Sequence, residues 1–204
     1  MAVANTILAF DTSAAHCAAA LLLPDGRVLN RFEAMDKGQA ERLFPLLQGL
    51  LSEAELAWGD LTRIAVGTGP GNFTGVRISV AAARGLALGL GIPALGVTRL
   101  EALAHGLPRP LTVIEDARRD EVYVQSFTLS GPGPARLAAR SDPGPVESTL
   151  TGAVENGLAP AMPLAQAIAE IAAARQMPQT RPKPYYLRGA DAALPTEQPP
   201  VILP

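Results

Sequence analysis

One cysteine, Cys17, and two histidines, His16 and His105, are all the chain has of those residue types. A single cysteine excludes an internal disulfide framework and fits a reducing compartment. No Cys or His pair has zinc-ligand spacing, which points away from a transition-metal centre. Charge is also sparse. Charged residues make up 18% of the 204 positions and the formal net charge is -2, so nothing draws the whole molecule to a polyanion, and nucleic-acid affinity would need a local patch or a partner. No uninterrupted apolar run approaches the ~20 residues that cross a bilayer. The opening MAVANTILAFDTS has no basic region before its short apolar stretch, so it reads as a strand and not as a signal peptide. The expectation is a cytoplasmic protein with no membrane partner.

What is present describes a folded α/β chain. Hydrophobic residues reach 48% and the mean hydropathy is +0.19, enough for a proper core in one large or two small domains. Apolar runs at 7–10 and 17–23 and an alternating run at 27–33 predict three strands, the last two joined by Pro24-Asp25-Gly26, a strong turn. A helix over 38–56 follows from Leu43, Leu47, Leu50 and Ala54 at helical spacing, with Leu46, Leu51 and Phe44 widening the stripe. Strand 63–67, helix 73–90, strand 93–97 and helix 98–105, N-capped by Thr98 with Glu101 in the capping-box position, complete a mixed sheet with covering helices. The composition shifts near residue 107, so the domains read as 1–107 and a smaller 108–204. The second holds strands at 111–114 and 121–129, Pro/Gly-rich stretches at 130–135 and 141–145, a helix at 163–176 and a proline-rich tail.

The stretch GTGPGNFTGVRIS, residues 67–79, poses the main functional question. A Walker loop needs a Gly-Lys-Ser/Thr sequence at fixed distance from its first glycine, and no lysine falls in place. A dinucleotide fingerprint fails at Asn72. Arg77 is the only nearby cation. A helix N-terminus after glycines can hold an anion, but loose glycine motifs are common, and spacing alone favours a tight strand-to-helix connection whose glycines permit close packing. On the helix that follows, Ala81, Gly85 and Gly89 lie four apart, so either another helix or the domain's own sheet could approach that face.

Catalytic candidates are few. His16 and Cys17 would point to opposite faces of a strand and cannot form a nucleophile pair. Ser13 lacks a nucleophile elbow and a placed histidine, so it reads as a turn residue. Asp11, at the carboxyl end of the first strand, could hold magnesium through water or cap the turn. EDARRDEVY, residues 115–123, reads as a solvated hairpin with local ion pairs.

With ILAFDTS, GTGPGNFTGVRIS, DARRDEVY and YYLRGADA (185–192) in this order, the chain resembles the bacterial TsaB family, also called YeaZ. The resemblance implies a pair of actin-like, ribonuclease-H-type α/β domains, from which this chain departs in a second domain that reads as abbreviated between residues 130 and 180. It implies a noncatalytic subunit for threonylcarbamoyladenosine formation at position 37 of ANN-decoding tRNAs. The implied partners are the catalytic subunit TsaD, in a heterodimer, and the ATPase TsaE, with a homodimer as an alternative assembly and tRNA met only through the complex. ATP and metal would belong to the partner subunits, with no cofactor bound by this chain alone. The implied contact surface lies on the first two helices, at Leu43, Leu46, Leu47, Leu50, Val76, Ala81, Gly85 and Leu86, so that an arginine at Leu47 or Gly85 should block docking. Asp11, Thr12, Ser13, Gly69, Gly71, Thr74, Gly75 and Arg77 would be a degenerate nucleotide-site motif, kept mainly to shape and present a helix. Two departures set this chain apart from ATP- and metal-binding relatives: residues 108–204 contain no Gly-Gly pair, and the first helix has no histidine. A small actin-like Mg-ATP-dependent kinase is the competing reading, and a peptidase, for want of a metal pair or triad, the weakest.

Overall fold

The predicted strands pair as an antiparallel meander: β1 (Ile7–Asp11), β2 (His16–Leu22) and β3 (Val28–Ala34). The computed structural model describes residues 5–147, 149–177 and 180–188. On the other side of β1 the sheet continues in parallel with β4 (Arg63–Gly67) and β5 (Ala94–Val97), giving the order β3-β2-β1-β4-β5. Parallel strands need crossovers, and these are helical. Helix α1 (Gln39–Glu53) and helix α2 (Phe73–Leu90) cover one face of the sheet. Pro45 lies within α1 on its exposed side. This strand order is that of a ribonuclease-H-type unit, the architecture that the resemblance implies.

Helix α3 (Arg99–Ala104) begins at Thr98, whose hydroxyl accepts from Glu101 N at 3.1 Å, as the sequence predicts. The Glu101 carboxylate does not return to close a capping box; it holds Arg175 at 2.6 and 2.7 Å. A second sheet is built on the hairpin of β6 (Leu111–Arg118) and β7 (Glu121–Thr128). Its turn places Arg118, Arg119 and Asp120 at φ 61, 53 and 60°, three left-handed residues in succession. The order β10-β6-β7-β8 is completed by β8 (Gly131–Pro132) and β10 (Leu150–Gly152), while β9 (Arg136–Ala139) also pairs with β7. Leu100, Leu103 and Ala104 of α3 share a core with Leu111, Val113, Tyr123 and Phe127 of this sheet.

Packing crosses the boundary expected near residue 107. Helix α4 (Leu164–Ala174), from the later part of the chain, crosses back and covers the second face of the first sheet. Its Ile168, Ala169 and Ala172 are buried against Ile7, Ala9, Ala65 and Leu95. The reason is hydrophobic: a sheet whose strands read ILAF and RIAVG is apolar on both faces, and α1 and α2 cover only one. Helix α2 is, by length and a mean hydropathy of 1.3, apolar enough to cross a membrane. Its Val76, Val80 and Ala83 instead pack into the core shared with α1.

Candidate functional site

The strand β4 delivers the chain into the glycine loop beside the turn after β1, and the two backbones touch. A Cβ at Gly67 would lie 1.8 Å from Asp11 Oδ2, one at Gly71 would lie 2.3 Å from Ser13 O, and one at Gly75 would lie 1.9 Å from Thr12 O. Not even a methyl group fits between loop and turn. Gly69 has φ +90°, a left-handed conformation for which glycine is the natural choice. The contact is stitched by hydrogen bonds: Asn72 N donates to Ser13 O at 2.6 Å and Thr12 Oγ1 donates to Gly75 O at 2.6 Å. Asn72 Oδ1 caps α2 by accepting from Gly75 N at 3.0 Å. The structure thus brings Asp11, Thr12, Ser13, Gly71 and Gly75 together and leaves Thr74 and Arg77 exposed on the outer side of α2.

Asp11 is fully buried. Its Oδ1 accepts from Ser13 N (3.0 Å) and Ser13 Oγ (2.9 Å), and His16 Nε2 lies 2.9 Å away. Because a carboxylate only accepts, that His16 nitrogen carries the hydrogen. Burial pushes the Asp11 carboxyl up, but the His16 hydrogen bond and the charge of Arg99 outweigh it and hold the group below its ordinary value. Arg99, the first residue of α3, bonds Glu115 of β6 through Nε at 2.8 Å. Glu115 is therefore half-buried in a link between the sheets, not part of the solvated hairpin the sequence predicts. Asp11 Oδ2 and Arg99 Nη1 are buried with no hydrogen-bond partner among the described residues. Sequence reasoning missed His16, Arg99 and Glu115 as members of this network. The only available signal was the five-residue spacing of Asp11 and His16 across a turn. The cluster is no nucleophile triad, since Ser13 and His16 both bond the same carboxylate oxygen. Cys17 is no nucleophile either, because burial pushes its thiol up to about 11.

A strap formed by residues 180–188 crosses the outside of the glycine loop. Tyr185 N donates to Thr68 O at 2.8 Å, and Pro182 packs where a Gly96 side chain would stand. Tyr186 accepts from Arg77 Nε at 3.0 Å, and its ring lies 5.2 Å from that of Phe73. The Arg77 guanidinium sits 3.7 Å above the Phe73 ring. Arg188 then donates to Ala117 O at 2.9 Å and pairs with Glu121. The strap accounts for part of YYLRGADA; residues 189–192 of that motif lie outside the described residues.

The helix faces correct the expected contact surface. Leu43, Leu46, Leu47, Leu50 and Val76 are buried in the chain's own core with Leu8, Phe10 and Val66, so none of the five is available to a partner. A leucine stripe at helical spacing signals burial without saying against what, and the sheet takes it. Leu47→Arg would place a charge in the core and unfold the protein, which a collapse of the thermal transition would show, and it cannot report on docking. Ala81 and Gly85 do lie on the outer face, with Leu86 half-buried at its margin. There Phe44, Pro45, Gln48, Trp58 and Leu86 line a groove. Phe44 and Trp58 are 6.4 Å apart, and Trp58 Nε1 donates to Gln48 Oε1 at 2.8 Å. Leu88 of α2, turned away from Leu86, is 81% exposed. Trp58 and Leu88 were not singled out from sequence, because each is isolated from the apolar periodicity around it.

A protein family described as TsaD, tRNA N6-adenosine threonylcarbamoyltransferase, matches residues 33–134. The chain is 41% identical over 123 residues to the tRNA threonylcarbamoyladenosine biosynthesis protein TsaB of Escherichia coli, covering 57% of this chain and 52% of that protein. The alignment thus spans about half the length of that relative. An uncharacterized protein of Mycobacterium bovis is 34% identical over 199 residues, 92% of this chain and 94% of that one. Among solved structures, YeaZ from Pseudomonas aeruginosa has a TM-score of 0.74 at 31% identity, covering 90% of this chain and 100% of that one. With its two sheets, its closed glycine loop and these relatives, the chain belongs to the TsaB (YeaZ) family.

Proposed function

We propose that the protein is a noncatalytic subunit in the formation of N6-threonylcarbamoyladenosine at position 37 of ANN-decoding tRNAs. It acts by docking onto the catalytic subunit TsaD, with TsaE joining the complex. The observation that carries this reading is the exposed apolar surface around α1 and α2: the groove at Phe44, Pro45, Trp58 and Leu86, and the outward face of α2 at Ala81, Gly85 and Leu88. Added side chains at Gly85 and Gly89 would meet nothing within 4 Å, so a partner's helix can approach the backbone there. Both helices fall inside the region matched by the TsaD family. A transferase of that family would carry related helices, which fits a pairing of like faces. The noncatalytic part of the proposal draws support from the closed loop. Asp11 Oδ1 is committed to Ser13 and His16, and the glycines rest on the turn where a kinase would need space for phosphate.

Capture of TsaD by the purified chain tests the docking. Gly85→Arg and Leu88→Asp should each weaken it about 100-fold, because each buries an unpaired charge at the contact. Both substitutions lie on the solvent side of α2, so neither should lower the thermal stability, and Gly85→Arg, which removes a glycine from a helix interior, should raise it slightly. Wild-type capture by both variants would remove this surface from the proposal. Reconstituted threonylcarbamoyl transfer that proceeds equally well without the chain would remove the proposal itself.

A further inference from the structure

The cations of this protein are unevenly spent. Arg27, Arg31, Arg42, Arg99, Arg140, Arg175 and Arg188 pair with carboxylates, and Arg63, Arg109 and Arg136 bond backbone carbonyls. Four cations that have no carboxylate partner among the described residues gather in one place. Arg181 and Lys183 are exposed on the strap, Arg77 is clasped to the strap's Tyr186, and Arg118 accepts the strap's Arg188 at its carbonyl (3.4 Å). Of the acids nearby, Asp116 and Asp120 share Arg140, Asp120 only at 3.8 Å, and Glu121 pairs with Arg188, so one acidic charge is left against the four cations. Within this positive rim stand two exposed aromatic rings, Phe73 at 46% and Tyr186 at 43%.

We propose that this rim, formed by the start of α2, the strap and the β6–β7 turn, is a contact site for single-stranded RNA. Unpaired bases stack on Phe73 and Tyr186, and phosphates meet Arg77, Arg118, Arg181 and Lys183. Exposed rings beside arginine suit bases, since every base offers a π-face and a guanidinium adds to the stack. Lysine and arginine with no carboxylate partner suit a backbone of fixed negative charge. The inference rests on the tRNA-modification reading and amends the expectation that tRNA is met only through the complex. It explains how an acidic chain would touch RNA at all, by a local surplus and not by net charge.

The test uses the full chain alone and a fluorescein-labelled anticodon stem-loop of an ANN-decoding tRNA, followed by anisotropy at several salt concentrations. Binding should weaken as salt rises. Tyr186→Ala and Phe73→Ala should each lower affinity about tenfold. Lys183→Ala, a surface change, should reduce the slope of log affinity against log salt by about 0.7. Tyr186→Phe, which keeps the ring and loses the Arg77 bond, should bind nearly as wild type. No binding by the folded wild-type chain, or affinities and slopes unmoved by Tyr186→Ala and Lys183→Ala with melting temperatures retained, would overturn the proposal. So would variants that bind RNA normally but capture TsaD poorly, which would assign the rim to a protein partner. Loss of RNA binding with intact dependence of threonylcarbamoyl transfer on the chain leaves the subunit reading standing. Failure of that dependence sinks the reading.

Discussion

Gly75→Ala should lower the melting temperature by roughly 6–12 °C. Helix propensity alone gives the opposite sign, since alanine within a helix is favoured over glycine by about 1 kcal/mol. Gly75 is buried in the first turn of α2, and its added Cβ would lie 1.9 Å from Thr12 O, a backbone atom. Thr12 is itself anchored, donating through Oγ1 to the Gly75 carbonyl, and Ser13 O holds Asn72 N, so turn and loop must part for the methyl to enter. Overpacking of this kind costs about 3 kcal/mol when no flexible side chain can yield, and each kcal/mol is worth ~2–4 °C for a chain of this size. Thermal unfolding followed by circular dichroism decides the matter. A raised melting temperature would mean that the glycine loop does not rest on the turn.

Replacing Asp11 should have an effect of similar size and a distinct dependence on pH. The carboxylate is buried and organises Ser13 and His16, and it lies within electrostatic reach of Arg99, which itself is buried with one unpartnered nitrogen. Removing the carboxylate weakens the acceptor of three buried groups and takes from Arg99 one of its two counter-charges, Glu115 being the other, which costs about 3 kcal/mol. The group's folded value lies below its ordinary one. Its contribution is therefore complete above the unfolded value of about 4 and is lost as pH falls through the lower folded value. Asp11→Asn should be less stable than wild type at neutral pH, and the difference should shrink on acidification below about pH 4. Parallel stability curves for the two proteins from neutral pH to about pH 3 would show that the carboxylate does not carry this linkage.

Much of the first sheet was legible because its signals are local. Pro24-Asp25-Gly26 fixes a hairpin, RIAVG reads as a buried strand, and β4 and α2 have the bounds that the sequence predicts. The second sheet was less legible. Strand β6 runs to Arg118, four residues past its apolar run, because Glu115 and Asp116 are paired with β7 and satisfied by Arg99 and Arg140, partners that lie far along the chain. Strands β8, β9 and β10 are two to four residues long amid prolines and glycines, too short for an alternating pattern to register. The candidate surface was half-read for a related reason. Periodicity identified Leu43, Leu47 and Leu50 as a buried stripe but could not distinguish a sheet from a partner, whereas the groove depends on Trp58 meeting Phe44 and Leu86 across two helices.

The return of α4 to the first sheet bears on how the chain folds as it is made. Five strands and two helices leave the ribosome long before Ile168 and Ala172 do. Until then Ile7, Ala9, Ala65 and Leu95 form a bare greasy wall on the nascent polypeptide. Amino-terminal segments usually fold first during synthesis, but here the early half has no lid of its own. A nascent chain stalled before residue 164 should therefore hold chaperones at that wall, and a fragment ending near residue 107 should be insoluble by itself.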